Sequence, residues 1–97
     1  MISLQDKEAL DSLKQNAEKA FKLDDLFNES RKDIYIIARS SFYSYARNKL
    51  NLTYQKLSFY SKKNHATIIN SINRFETYYK YYSFKSEIDF FVSECGK

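Results

Sequence analysis

The sequence contains no proline and only one glycine, Gly96, which is the penultimate residue. Tight hairpin turns and glycine-rich phosphate-binding loops depend on glycine, so neither is expected here. The apolar residues recur at intervals of three and four positions instead of two, although the many Tyr, Phe and Ile would suit strands by propensity. We therefore predict an all-α fold, a compact bundle in one domain spanning 1–97, because 97 residues are too few for a second core.

Cysteine, histidine and long apolar runs are also scarce. Cys95 is the only cysteine, which excludes a disulfide within the chain and a cysteine-based zinc site, and His65 alone cannot supply the three or four ligands of zinc. No run of about 18 apolar residues occurs, and MISLQDKEALDSL at the start lacks the features of a signal peptide. No GxxxxGK motif and no cluster of nucleophile and base are present. We expect a cytoplasmic protein that does not contact membranes, is not an enzyme, and has no metal, cofactor or small-molecule substrate.

The positive charge is concentrated in the middle of the chain. Residues 1–30 carry four lysines and seven acids, whereas residues 31–80 carry ten Lys or Arg and only two acids, Asp33 and Glu76. The overall net charge of +4 therefore conceals a local charge of +8. Such a segment favours a nucleic-acid surface, although an anionic membrane or an acidic protein would attract it too.

Helical spacing and capping residues predict about five helices. The predicted helices cover about 4–23, 32–50, 54–60, 64–80 and 83–94. Ser3, Thr53 and Asn64 are the expected N-caps of the first, third and fourth helices, and either Asn28 or Ser30 is expected to cap the second.

The same spacing predicts which side chains face the core. The expected inward residues are Leu10, Leu13, Ala17, Ala20, Phe21, Ile34, Ile37, Ala38, Ser41 or Phe42, Tyr45, Tyr54, Leu57, Ile68, Ile69, Ile72, Phe75, Tyr79, Phe84, Ile88 and Phe91. Arg39, Arg47 and Lys49 are expected to point outward from the second helix. By angle alone, His65 falls on the apolar side of the fourth helix.

A short helix, a polar turn and a longer helix over about 53–80 form a helix-turn-helix pattern, in which the second helix enters the major groove of DNA. The N-terminal end of that helix lies at Asn64, directly after Lys62 and Lys63, which suits contact with phosphates. Asn70 carries an amide that can pair with adenine, and Thr67 carries both a hydroxyl and a methyl group.

The segment KKNHATIINSINRFE at 62–76 resembles the signature segment of the C-terminal DNA-binding domain of the bacterial replication initiator DnaA. DLFNESR at 25–31, YAR at 45–47 and LTYQKLS at 52–58 are similar to further parts of that domain, so the resemblance covers about 10–80. It implies that residues 63–67 occupy the base-reading turn, that Arg31 reaches a minor groove, and that Arg39 and Arg47 hold phosphates. The segment departs from the family at Asn64, where the family has an acid, and at Ala66, where it has a hydroxyl residue. The nucleotide-binding part of the initiator is absent from this chain.

From these observations we expect a small protein that binds double-stranded DNA sequence-specifically. We expect it to act as an accessory replication or transcription factor of bacterial or phage origin. The candidate base-reading residues are Asn64, His65, Ala66, Thr67 and Asn70; the candidate DNA-backbone contacts are Arg39, Arg47, Lys49, Lys62, Lys63 and Arg74; and the candidate minor-groove contacts are Arg31 and Lys32. The alternative is a helical protein-interaction module whose basic face is incidental and whose partner is the replication initiator or a second copy of the chain.

Overall fold

Five α-helices make up the part of the chain that the computed structural model describes, residues 2–81 and 84–96. The helices are α1 (Leu4–Phe21), α2 (Asp33–Asn48), α3 (Tyr54–Ser61), α4 (His65–Tyr81) and α5 (Lys85–Cys95). The all-α prediction is confirmed, and the described residues contain no strand. None of these helices has the length and apolar character needed to cross a bilayer.

Local capping bonds begin three of the helices, as predicted. The Ser3 hydroxyl accepts the backbone N–H of Asp6 at 3.1 Å, and the Thr53 hydroxyl accepts that of Lys56 at 3.1 Å. The Asn64 side-chain oxygen accepts the N–H of the residue three positions later, at 2.8 Å. Each bond satisfies one of the N–H groups that a helix leaves without an internal partner.

The start of α2 differs from the prediction. Its N-cap is Lys32, which is extended and makes no side-chain capping bond, so the prediction of a cap at Asn28 or Ser30 is wrong. Both side chains are engaged in turns of the preceding loop: Asn28 Oδ1 accepts the N–H of Ser30 at 2.9 Å, and Ser30 Oγ accepts the N–H of Lys32 at 3.3 Å. Short polar side chains often stabilise such turns in place of a helix start.

Helix α2 is the central helix and packs against α1 and α4, with further contacts to α3 and α5. It is therefore buried on most of its circumference, including Ser40 and Ser44, which spacing alone would not place inside. The Ser40 hydroxyl donates to the carbonyl of Ser71 at 2.5 Å, and the Ser41 hydroxyl donates to the carbonyl of Ile37 at 2.9 Å. The first of these bonds joins α2 directly to α4.

Most of the predicted core is confirmed. The buried residues include Leu10, Leu13, Ala17, Ala20, Phe21, Ile37, Ala38, Ser41, Phe42, Leu57, Ile68, Ile88 and Phe91. The remaining predicted residues are half-buried around this core: Ile34, Tyr45, Tyr54, Ile69, Ile72, Phe75, Tyr79 and Phe84. Leu26 and Leu52, which lie in loops, and Tyr43 and Ala46 of α2 are also buried. Helix α5 packs mainly on α1 and closes the bundle.

Two hydrogen-bonded pairs join α1 to α3. Lys56 Nζ lies 2.8 Å from Asp6 Oδ2, and the Tyr60 hydroxyl donates to Asp11 Oδ1 at 2.6 Å. Burial, together with the bond to Asp11, raises the pKa of Tyr60 well above its usual range. Hydrogen bonds from Lys7 and then from Tyr60 lower the pKa of the Asp11 carboxyl.

These shifts predict a loss of stability at both ends of the pH scale. Because the pKa of Tyr60 is raised on folding, its contribution is complete below the ordinary tyrosine value of about 10 and is lost as the pH rises above it. The lowered pKa of Asp11 stabilises the fold above about pH 4, and this stabilisation is lost as the pH falls further.

We expect Tyr60→Phe to reduce the alkaline decline in the free energy of unfolding, measured by urea denaturation between pH 8 and 11. Part of the decline should remain, because burial also raises the pKa of Tyr43. An identical pH profile in the two proteins would contradict this assignment.

Candidate nucleic-acid interface

A groove of about 510 Å³ runs between α2 and α4 and is bordered by the end of the loop that precedes α2. We call it the basic groove, and its lining residues are Arg31, Ile36, Arg39, Tyr43, Lys63, Thr67, Asn70, Ser71, Arg74 and Tyr78. Four of these residues are cationic and none is acidic, so a positive potential is expected in the groove. Six of them belong to the DNA-contact set predicted from the sequence.

Three separate parts of the chain contribute cations to the basic groove. Arg31 comes from the loop before α2, Lys63 from the turn between α3 and α4, and Arg74 from the middle of α4. Thr67 and Asn70 lie between the last two on the exposed face of α4. The structure thus places two of the five candidate base-reading residues among three of the candidate DNA-contacting cations.

The other base-reading candidates lie at the beginning of α4, beside the basic groove. Asn64, His65 and Ala66 are all exposed. By angle alone His65 falls on the apolar side of α4, but its side chain is exposed, because the first turn of α4 extends beyond the core that covers Ile68. The N–H groups of a first helical turn have no acceptor within the helix and carry the positive end of its dipole. This end of α4 is consequently suited to an anionic or hydrogen-bond-accepting ligand.

The turn that leads into α4 is held in place by backbone and side-chain bonds. Lys62 adopts a left-handed conformation, with φ 59°, and its N–H donates to the Ser58 carbonyl at 2.9 Å. The Ser58 hydroxyl donates to the carbonyl of Lys63 at 2.5 Å. Lys62 itself is exposed, and Lys63 is half-buried at the edge of the basic groove. The backbone positions of both lysines are thereby set relative to α3.

Arg39 does not point outward as predicted. Its guanidinium is half-buried and donates to three carbonyls of the preceding loop: Nε to Leu26 at 2.7 Å, Nη1 to Ser30 at 2.9 Å and Nη2 to Asn28 at 2.5 Å. Burial lowers its pKa, but an arginine remains charged at neutral pH. All three of its nitrogens already have acceptors, so we remove Arg39 from the candidate phosphate contacts.

Arg47 of α2 and Lys49, which directly follows α2, do not line the basic groove. Arg47 was also predicted to point outward, but its guanidinium carbon lies 4.9 Å from the centre of the Tyr54 ring, and its Nε is buried with no hydrogen-bond partner in the described part of the chain. That prediction is wrong because the side chain packs against the start of α3. Lys49 is exposed, as predicted, but it lines a different cleft of about 600 Å³, together with Asn73 and Glu76 of α4. Lys32 is exposed at the N-cap of α2.

Four residues that line the groove were not predicted from the sequence: Ile36, Tyr43, Ser71 and Tyr78. Tyr78 lies one helical turn after Arg74, and Ser71 one turn before it, so both half-buried residues border the side of α4 that begins at Thr67. The i, i+4 spacing could have found these two. Ile36 and Tyr43 come from α2, and only the packing of α2 on α4 brings them to the groove.

The basic groove presents cationic and hydrogen-bonding side chains, which suit the binding of an anionic ligand. The residues that line the basic groove include no Asp, Glu or His. Across residues 2–81 and 84–96, no three His, Cys, Asp or Glu side chains come together to form a metal site. Comparisons of this chain with protein-family models, with curated proteins and with solved structures find no match.

Proposed function

We propose that the protein binds double-stranded DNA through the basic groove and the first turns of α4, with α3 and α4 acting as a helix-turn-helix. The observation that carries the proposal is that Arg31, Lys63 and Arg74, from three parts of the chain, lie in one groove with Thr67 and Asn70 and without an acidic residue. The resemblance of residues 62–76 to the DNA-binding domain of DnaA supports the same conclusion. A role in replication or transcription is the corresponding biological proposal.

The residues divide into two roles in this proposal. Lys62, Lys63 and Arg74 contact phosphates on either side of the major groove, where they supply affinity without reading the sequence. Residues 64–67 and Asn70 face the base edges. An asparagine amide pairs bidentately with adenine, and the methyl groups of Ala66 and Thr67 contact thymine. Arg31, with Lys32 beside it, contacts the adjacent minor groove, where arginine is favoured by the negative potential.

Fluorescence-anisotropy binding to a randomised duplex pool, followed by sequencing of the retained fraction, tests this function. If about five phosphates are contacted, the logarithm of the affinity should fall with the logarithm of salt concentration with a slope of about −4 to −5. Enrichment of a sequence motif would support a sequence reader. Salt-dependent binding without enrichment would indicate an architectural binder, and binding that ignores salt would contradict the phosphate contacts.

Single substitutions should separate base reading from phosphate contact. We expect Asn70→Ala to reduce discrimination between the enriched motif and a variant of it by about 1 to 3 kcal/mol, because the amide is lost from a base edge. Lys63→Ala should weaken all sequences similarly and lower the salt slope by about 1. Anisotropy titrations on two duplexes measure both effects.

Asn73→Ala is the matched control for Asn70→Ala. Asn73 is exposed on the same helix but lines the cleft on the opposite flank of α4. Asn73→Ala should therefore leave both the affinity for duplex DNA and the sequence preference unchanged. Loss of preference in Asn73→Ala but not in Asn70→Ala would mean that the other flank of α4 faces the DNA.

One surface feature favours the alternative of a protein-interaction module. Phe59 is 59% exposed and lies beside Ile2 in a cleft that Lys7 and Lys62 border. If this apolar surface binds a partner, such as a second copy or the replication initiator, light scattering should detect a dimer or complex that Phe59→Ser dissociates. A stable complex together with no affinity for any duplex would replace the DNA-binding proposal.

A further inference from the structure

The loop between α1 and α2 is organised around the guanidinium of Arg39. This side chain donates to the carbonyls of Leu26, Asn28 and Ser30, and Nη2 also lies 3.2 Å from Asn28 Oδ1. A planar guanidinium can direct donors to several acceptors at fixed angles. The three carbonyls are spaced two residues apart, so one side chain sets the path of the loop from 26 to 30.

Helix α1 holds the same loop from the other side. Glu18 Oε2 accepts the N–H of Leu26 at 2.8 Å and also lies 2.7 Å from Lys14 Nζ. The side chain of Leu26 is fully buried. Leu26 is therefore fixed through its N–H by α1, through its carbonyl by Arg39 of α2, and through its side chain by the core.

These contacts lead directly to Arg31. The Ser30 carbonyl that Arg39 binds belongs to the peptide unit that continues as the N–H of Arg31. The Asn28 side chain bonds both to Arg39 and to the N–H of Ser30. Arg31 itself is exposed at the edge of the basic groove. Its backbone is thus anchored by a residue that belongs to α2, the helix that also forms one wall of the groove.

We propose that Arg39 is a positioning residue that holds the loop so that Arg31 is presented at the basic groove before DNA binds. This inference rests on the proposed DNA-binding function. It gives Arg39 a role different from the phosphate contact that the resemblance implies. An arginine that is already placed loses less conformational freedom on binding than one on a loose loop, so the arrangement raises affinity without adding a contact.

A double-mutant cycle tests the positioning role. Arg39→Lys keeps the charge but cannot reach three carbonyls with one ammonium group. We expect Arg39→Lys and Arg31→Ala each to weaken duplex binding by about tenfold, the loss expected for one arginine contact. The double variant should be no weaker than either single variant, because both changes remove the same contribution.

Arg74 provides the control for this cycle. Arg74 lines the same groove but has no bond to the loop in the described structure, so the losses from Arg39→Lys and Arg74→Ala should multiply. A general loss of structure would instead couple Arg39 to both arginines. The amide resonance of Arg31 in a ¹⁵N spectrum of the free protein should shift in Arg39→Lys, whereas that of Arg74 should not.

Three outcomes of the mutant cycles would overturn the inference. They are wild-type affinity in Arg39→Lys, multiplicative losses with Arg31→Ala, and equal coupling to Arg31 and Arg74. If Arg39→Lys does not fold, Asn28→Ala removes only the side-chain part of the network and should show the same selective coupling to Arg31 with a smaller loss. Absence of duplex binding by the wild-type protein would overturn the proposed function together with this inference. If the wild-type protein binds DNA but the losses from Arg39→Lys and Arg31→Ala multiply, only the role of Arg39 is overturned.

Discussion

Simultaneous replacement of Arg31, Lys63 and Arg74 by glutamine is expected to weaken duplex binding on the order of a thousandfold, taking about tenfold for each contact. These are the three cations of the basic groove that are not already committed to loop carbonyls. The salt slope should also become less negative by about 0.9 for each phosphate contact that is lost. Anisotropy titrations at several salt concentrations measure both quantities.

The matched control removes the same charge elsewhere on the surface. Lys22, Lys80 and Lys85 are exposed, and none of them lines the basic groove. Their replacement by glutamine lowers the net charge by the same amount, so only the long-range attraction should weaken, by a few-fold at low salt. Equal losses in the two triple variants would mean that total charge, and not the groove, governs binding.

Phe42→Ala should be the most destabilising of the single substitutions considered for this protein. The Phe42 ring is fully buried in the central helix and lies 5.2 Å from the ring centre of Phe27, 5.5 Å from that of Tyr43 and 6.1 Å from that of Tyr60. Its removal leaves a cavity among aromatic neighbours that cannot collapse readily, at a cost of about 3 to 5 kcal/mol. Since domains of this size are stable by only about 5 to 15 kcal/mol, a large unfolded fraction at 37 °C is expected. Urea denaturation at 25 °C measures the loss.

Phe59→Ala supplies the comparison with the same chemical change. Phe59 lies on α3 with 59% of its surface exposed, so its truncation should change the free energy of unfolding by less than about 0.5 kcal/mol. A comparable loss in both variants would contradict the placement of Phe42 at the centre of the core. Stabilisation by Phe42→Ala would contradict it as well.

The helices and three of their starting points could be predicted because they depend on neighbours within the sequence. The caps at Ser3, Thr53 and Asn64 each bond to a residue three positions later, which a pattern can identify. The apolar stripe of α1 was predicted completely, since α1 has one face on the core and one in water. The central helix followed this rule less well, because neighbours on several sides bury Ser40 and Ser44 along with its apolar residues.

Helical spacing did not predict the positions of the two arginine side chains of α2. Arg39 and Arg47 occupy positions that a helical pattern assigns to the surface, yet both are half-buried. The acceptors of Arg39 come from a loop up to 13 residues earlier, and the aromatic ring beneath Arg47 belongs to the next helix. A guanidinium can be satisfied by such distant groups, and their positions follow only from the folded chain.

The amino-acid sequence alone was sufficient for the helical class, three of the caps, most of the core and the presence of a basic segment, because propensity, periodicity and charge are local properties. Which cations lie together was decided by tertiary packing. Arg31, Lys63 and Arg74 are distant in sequence and meet because α4 packs along α2, where the Ser40 hydroxyl bonds to α4. Lys49 belongs to the same basic segment but lies on the other flank of α4. The packing of α2 on α4 determines on which flank each of these cations lies.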